Sequence, residues 1–170
     1  MGTGDEAFLR QNIQQNLAET PFNIIHLATH GNFSSDPAQT FILDWQGAIT
    51  APDIDQVLRV GDPQRVVNEP VELLVLSACE IATGDRLAAL GLAGIAIRAG
   101  ARSSLATLWQ INDASTTEFM VRFYQELTHP DMTKADALRH AQLSFLRDNP
   151  RTQYNRPNRW AAFTLVGNWL

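Results

Sequence analysis

Two residues of this sequence have side chains suited to covalent catalysis, and each follows a short apolar run. His30 ends the mostly apolar stretch 22–30, and Cys79, the single cysteine, follows the apolar stretch 71–76. A histidine near a cysteine can take the thiol proton as general base, and the resulting thiolate is a strong nucleophile. The pair therefore predicts thiol-based hydrolysis, with His30 as base and Cys79 as nucleophile.

The neighbours of this pair support the same chemistry. Gly31 directly follows the histidine, allows the backbone to turn tightly and leaves its N–H uncovered by a side chain. A backbone N–H in that position can stabilise the oxyanion of an acyl-transfer intermediate. A polar turn and a predicted helix follow Cys79, and the positive end of a helix favours the reactive thiolate.

Structural interpretations of the same residues remain open. A lone cysteine is most often a small buried hydrophobe, and a lone histidine at a strand end is more often structural than catalytic. His26 alternates with apolar neighbours, which predicts a structural residue bonded to the sheet or to a helix. Asp113 directly precedes a helical pattern, so it can be an N-cap, a pocket residue or both, and Ser115 and Glu118 have the spacing of a capping pair. Glu80 is either a solvated turn residue or part of a substrate cleft.

The surrounding pattern predicts strands that alternate with helices. Such an order indicates an α/β fold, in which helices cover both faces of a mostly parallel sheet. Ligands bind such sheets beyond the carboxyl ends of the strands, where His30, Cys79 and Asp113 are expected to lie. The predicted strands are 22–29, 71–76, 103–111 and 160–166, with a hairpin from 41–45 and 48–50; the predicted helices are 6–19, a short helix capped by Thr50, 85–99, 115–128 and 133–148.

Length and composition indicate one globular domain and exclude several classes of function. The 170 residues are 45% hydrophobic and 18% charged, which is ordinary for a folded domain. A net charge of −5 gives no electrostatic reason to expect nucleic acid or an anionic membrane as a partner. The sequence has no membrane-length apolar run, no signal segment and one cysteine, so a cytoplasmic location is expected. No ligand spacing predicts a metal site, and no glycine-rich loop predicts a nucleotide cofactor.

Several short motifs run in order along nearly the whole sequence: 26–31 (HLATHG), 73–80 (LLVLSACE), 99–102 (AGAR), 105–113 (LATLWQIND), 123–124 (FY), 137–138 with 141–142, and 160–163 (WAAF). Together these segments resemble the CHAT domains of the caspase–separase clan. The spacing of His30 and Cys79 is also close to the roughly 50 residues that separate the corresponding pair in caspases. The resemblance implies a caspase-like three-layer α/β fold without some of its upstream strands. It divides the chain into an N-terminal helical segment, 1–20, and a peptidase domain, 21–170, expected to be the C-terminal part of a larger protein.

The resemblance implies a cysteine endopeptidase that acts on protein or peptide substrates without a cofactor. His30 would take the Cys79 proton, and the N–H groups of Gly31 and Cys79 would bind the oxyanion. By similarity to separases, Asp113 would receive an Arg or Lys side chain just before the scissile bond, and Glu80 is a second candidate for substrate binding. Members of the family are frequent in bacteria, often carry tetratricopeptide repeats elsewhere in the chain and are thought to be activated by partners.

Two departures from the family pattern keep other functions open. Ile81 and Ala82 stand before Thr83-Gly84, whereas the family usually has Thr-Gly directly after Cys-Glu, and few residues precede the strand that leads to His30. A sheet edge without its upstream strands could form a homodimer. One alternative is a catalytically silent interaction domain that kept the fold. Another is a small-molecule hydrolase, which would have an enclosed pocket instead of an open groove.

Overall fold

A computed structural model describes most of the chain. The described residues are 10–20, 22–34, 36–58, 71–77, 80–81, 94, 100–147 and 154–170. Cys79 lies outside them, as does the predicted helix 85–99 apart from Gly94. No helix in the described ranges is long and apolar enough to cross a membrane.

The described chain contains both helices and strands, as the sequence predicts. The first half contains α1 (Arg10–Glu19), β1 (Ile24–Leu27), β2 (Gly31–Phe33), a 3-10 turn (Pro37–Gln39), β3 (Phe41–Leu43), β4 (Ala48–Thr50) and α2 (Ala51–Leu58). The second half contains β5 (Leu73–Leu76), β6 (Glu80–Ile81), β7 (Ser103–Thr107), α3 (Asp113–Leu127), α4 (Lys134–Leu146), α5 (Pro157–Trp160) and β8 (Phe163–Gly167).

The main sheet has the order β1-β5-β7-β8 and is mostly parallel, which confirms the predicted fold class. Its first three strands are parallel, with Ile24 beside Leu73 and Leu74 beside Ser104. Strand β8 runs antiparallel to β7 and closes the far side. The carboxyl ends of β1, β5 and β7 consequently open on the same edge, the usual position of a ligand site in such a sheet.

Helices cover both faces of this sheet because successive strand residues point to opposite sides. Helices α3 and α4 cover one face, where Phe119 stacks on Phe163 with ring centroids 3.8 Å apart. Helices α1 and α2 cover the other face through residues such as Leu17 and Ile54. Each face of the sheet has its own apolar core, and β5 contributes every second residue to each. Leu73 and Val75 pack on the side of α3 and α4, and Leu74 and Leu76 pack on the side of α1 and α2.

A second, smaller sheet has the order β4-β3-β2-β6 and extends from the carboxyl edge of the main sheet. Strands β3 and β4 form the predicted hairpin, in which Asp44 accepts hydrogen bonds from the N–H groups of Gln46 and Gly47, both at 2.8 Å. Helix α2 begins directly after Thr50, as predicted, and the Thr50 hydroxyl donates to Asp53 at 2.8 Å. Strand β2 pairs with both β3 and β6.

The last predicted strands have different boundaries in the structure. Strand β7 ends at Thr107 instead of continuing to 111. Strand β8 begins at Phe163 rather than at 160, because Pro157 starts a helical turn there and its carbonyl accepts the Ala161 N–H at 2.8 Å. Proline suits the first helical position, where its missing N–H is not needed.

The segment that precedes β8 holds the loop that follows β7. The Leu108 N–H donates to the Ala162 carbonyl at 2.8 Å, and the Trp109 indole donates to the Asn158 carbonyl at 3.3 Å. The chain between β7 and α3 is therefore fixed by residues that come about fifty positions later.

Candidate active site

Two adjoining clefts open where β1, β5 and β7 end. His30, Ser77, Asp113 and Thr116 line both of them. The β2 cleft, of about 220 Å³, is also lined by Gly31, Asn32, Phe41, Leu43, Thr107, Gln110 and Ile111. The α3 cleft, of about 520 Å³, is also lined by His26, Ala28, Thr29, Thr117, Met120, Val121 and Tyr124. The fold thus brings His30, Gly31 and Asp113 to one place.

The backbone of His30 is fixed by the neighbouring hairpin. Its carbonyl accepts the Leu43 N–H at 2.7 Å, and the Thr29 hydroxyl donates to the Leu43 carbonyl at 2.6 Å. These bonds tie the chain that leaves β1 to strand β3. The His30 side chain is exposed and borders both clefts, a position from which it can contact a ligand in either.

Gly31 occupies a position that no other residue fits without movement. A Cβ atom there would lie 2.6 Å from the Phe41 carbonyl oxygen and 3.1 Å from Ile42 Cα, both of them backbone atoms. Gly31 is paired with Ile42, and the bond from Leu43 to His30 flanks this pair. In an antiparallel ladder that pattern marks a non-hydrogen-bonded pair, so the Gly31 N–H faces away from β3, towards the side of β6.

The chain after β5 runs beside the chain after β1. Strand β6 is parallel to β2, with Glu80 beside Asn32 and Ile81 beside Phe33. The Glu80 backbone therefore lies next to a residue two positions after His30. Cys79 and the Glu80 side chain lie outside the described residues, so the described site consists of His30, Gly31, Asp113 and the chain on either side of the cysteine.

Asp113 is the first residue of α3, and the alternative of an N-capping role is wrong. Asn112 is the N-cap: its backbone is extended, and its side chain accepts the Ser115 N–H at 2.9 Å. The predicted capping pair of Ser115 and Glu118 is also absent from this helix start, since Glu118 instead pairs with Arg122 at 2.7 Å. The exposed Asp113 carboxylate borders both clefts.

A hydrogen-bonded chain of three side chains crosses the α3 cleft. Nε2 of His26 lies 2.7 Å from Ser77 Oγ, and Nδ1 lies 3.1 Å from the Tyr124 hydroxyl oxygen. The prediction that His26 bonds to the sheet or to a helix is confirmed, since it bonds to Ser77, directly after β5, and to Tyr124 of α3. The sequence argument missed Tyr124, although the residues of α3 that face the cleft recur at helical spacing: Asp113, Thr116, Thr117, Met120, Val121 and Tyr124.

The surroundings set the protonation of this chain. Desolvation of the ring between β5 and α3 lowers the pKa of His26 below its usual 6.5. Desolvation raises the pKa of Tyr124 to about 12. Near neutral pH the imidazole is therefore uncharged, and the phenol keeps its proton.

The two remaining histidines lie away from the clefts. His129 is exposed in the turn after α3. His140 is half-buried, and its Nδ1 lies 2.9 Å from Glu126 Oε2. Within the described ranges, no three His, Asp or Glu residues form a group that could hold a metal ion.

The main sheet and the clefts at its carboxyl edge define a caspase-like α/β domain. Two of the predicted site residues line these clefts: His30, which comes after β1, and Asp113, which comes after β7. The family model described as "CHAT domain" matches residues 3–168. The chain therefore belongs to the CHAT domain family, a caspase-like family related to the cysteine peptidases. No curated protein matches the chain.

Proposed function

We propose that this chain is a cysteine endopeptidase domain, with Cys79 as nucleophile and His30 as general base. The observation that carries the proposal is the convergence of His30, Gly31 and Asp113 on clefts at the carboxyl edge of the main sheet. Ser77 lines the same clefts and precedes Cys79 by two residues. Membership in a family related to cysteine peptidases supports the same activity.

The reaction proceeds through an acyl-enzyme. His30 takes the proton of the Cys79 thiol, and the thiolate forms a bond to the carbonyl carbon of the substrate peptide, whose oxygen becomes an oxyanion. The oxyanion collapses, the C–N bond breaks, and the leaving amine takes the proton from the His30 imidazolium. Water, deprotonated by the same imidazole, then hydrolyses the thioester and releases the carboxylic acid and the free thiol.

The oxyanion is bound by the N–H groups of Gly31 and Cys79. Support for Gly31 comes from the register of β2, because its N–H faces away from β3 and towards the side of β6. A donor fixed by a strand does not reorganise when charge develops on the substrate, which is the condition for strong electrostatic stabilisation.

Asp113 selects an Arg or Lys side chain directly before the scissile bond. Among the described lining residues of both clefts, it is the only carboxylate. Met120 and Val121 line the α3 cleft beside it and suit the aliphatic stem of a long basic side chain. In this proposal Glu80 is a second residue that binds substrate, and its backbone lies beside Asn32.

The first experiment measures the rate of iodoacetamide alkylation against pH in wild type, His30→Ala and the control His129→Ala. Having one cysteine makes the signal unambiguous. The proposal expects fast alkylation with an apparent pKa well below the free-thiol value of about 8.5. His30→Ala should shift the profile, and His129→Ala should leave it unchanged. Slow alkylation with the same rate in wild type and His30→Ala would instead favour the catalytically silent interaction domain.

The second experiment compares kcat/KM for peptides that differ only in the residue before the scissile bond. Peptides with Arg or Lys should be preferred, and Asp113→Asn should reduce the preference by about tenfold, or about 1.4 kcal/mol. Asp131→Asn is the matched control, since Asp131 lies beyond the opposite end of α3 and asparagine tolerates its φ of 62°. A preference that is absent, or unchanged in Asp113→Asn, would remove the assigned role.

A further inference from the structure

We propose that His26 and Tyr124 are positioning residues that hold the end of β5, and with it the chain that leads into Cys79. Tyr124 donates to Nδ1 of a neutral His26, whose Nε2–H donates to Ser77 Oγ. This inference rests on the proposed function for its effect at Cys79. The hydrogen-bonded chain itself depends only on described residues.

The direction of the two hydrogen bonds follows from the chemistry of the groups. A neutral imidazole has one N–H donor and one acceptor nitrogen. The pKa of about 12 keeps the phenol protonated near neutral pH, and a phenol O–H is more acidic than a neutral imidazole N–H, so it is the better donor of the pair with Nδ1. With Nδ1 as acceptor, the ring proton lies on Nε2, 2.7 Å from the Ser77 oxygen.

The hydrogen-bonded chain from Tyr124 through His26 to Ser77 can fix the position of the residue that follows β5. The Ser77 N–H donates to the Leu27 carbonyl at 3.3 Å, which is a long bond, and the side-chain bond to His26 adds a second, shorter tie to β1. Tyr124 anchors the imidazole from α3, with ring centroids 5.8 Å apart. Three elements that meet at the clefts are therefore joined at a residue two positions before Cys79.

The hydrogen-bonded chain from Tyr124 to Ser77 requires an uncharged His26 imidazole. Protonation places a second N–H on Nδ1, where it opposes the Tyr124 hydroxyl proton. His26 contacts Ser77, directly after β5, and Tyr124 of α3; the other titratable residues that line the same cleft are Asp113 of α3 and His30, three residues after β1. Asp113 is the one carboxylate among them, and it borders the open cleft, where solvent screens its attraction for a proton.

Nuclear magnetic resonance of the histidine side-chain nitrogens tests the direction of the bonds. At pH 7 the His26 signal, assigned by its loss in His26→Gln, should show the proton on Nε2 and none on Nδ1. Tyr124→Phe should remove this preference and give a mixture of tautomers. A proton on Nδ1 in wild type, or a charged ring at pH 7, would overturn the proposed chain.

Amide hydrogen exchange tests the positioning without any need for catalysis. His26→Ala should speed exchange of the Ser77 N–H by about tenfold, because only its backbone bond then ties it to β1. His26→Gln places a side-chain amide donor near the Nε2 position and should restore slow exchange. Equal exchange in wild type, His26→Ala and His26→Gln would overturn the positioning role.

Alkylation of Cys79 in the same variants links this role to the proposed function. The rate should fall several-fold in His26→Ala and recover in His26→Gln, with thermal unfolding confirming that each variant is folded. If wild-type Cys79 is unreactive, the proposed peptidase fails, and exchange at Ser77 still decides the positioning. If Cys79 is reactive and responds to His30→Ala but not to His26→Ala, the peptidase stands and the positioning role fails.

Discussion

The carbonyl oxygen of His30 accepts the backbone N–H of Leu43 at 2.7 Å. Strand β3 thus fixes the backbone of His30, the proposed general base, while the His30 side chain remains exposed and borders both clefts. A fixed backbone limits the positions of the imidazole before substrate binds, and such preorganisation is what a catalytic group requires. The hairpin β3–β4 therefore has a role in the site, although Leu43 and Phe41 are its only residues that line a cleft.

Gly31→Ala should lower the free energy of unfolding by about 1–3 kcal/mol, the usual effect of forcing extra atoms into a packed site. The reason is the 2.6 Å approach of its Cβ to the Phe41 carbonyl oxygen. Chemical denaturation measures the change. Gln46→Ala, on the exposed hairpin turn of the same sheet, should stay within about 0.5 kcal/mol. Unchanged stability in Gly31→Ala would show that β3 can move aside.

Asn112→Ala should lower the free energy of unfolding by about 1 kcal/mol, because α3 loses the side chain that accepts the Ser115 N–H. Asp113→Asn should have a smaller effect, roughly 0.3 kcal/mol, from the loss of one exposed charge in the first turn. Urea denaturation of both variants tests the order. If Asp113→Asn were the more damaging change, the capping assignment would be reversed.

Tyr124 should make the protein lose stability at alkaline pH. Its pKa is about 12 in the folded chain, whereas a phenol in the unfolded chain loses its proton near 10. Between these values only the unfolded state releases the proton, so stability falls as pH rises. Tyrosinate absorbance should show a late step that disappears in Tyr124→Phe and remains in Tyr154→Phe, the variant of the other tyrosine.

His26 should make the protein lose stability as pH falls below about 6.5. Its pKa is lowered in the folded chain, so in this range the unfolded state binds the proton first and is favoured. Denaturation at pH 7.5 and at lower values should show a smaller acid loss in His26→Gln than in wild type. The control His129→Gln should follow wild type. An identical acid loss in all three would mean that His26 titrates alike in both states.

Much of the architecture could be predicted because apolar runs and helical spacing are strong local signals. The predicted strands 71–76 and 103–111 contain the buried central strands of the main sheet, 73–76 and 103–107, and Thr50 was correctly placed before a helix. Parallel strands also predicted where a site would lie, and His30 and Asp113 meet there. The catalytic and binding roles of His30, Gly31, Cys79, Glu80 and Asp113 stay predictions.

The remaining features depend on pairings that no local pattern contains. Strands β2 and β6 have three and two residues, too few for a periodic signal. Asn112 and Asp113 are both good caps, and the extended backbone of Asn112 and its side-chain bond to the Ser115 N–H distinguish them. The hydrogen-bonded chain joins Tyr124 of α3, His26 of β1 and Ser77, directly after β5, so it exists only once these three elements have packed.

The contacts from Leu108 to Ala162 and from Trp109 to Asn158 have a consequence for synthesis. A growing chain carries His30 and Cys79 well before residues 154–167 have left the ribosome, and a domain generally folds as a unit. The loop that leads to Asp113 reaches its position only when that later segment packs against it. The cleft of the proposed peptidase is therefore completed only by a segment that is synthesised after both proposed catalytic residues.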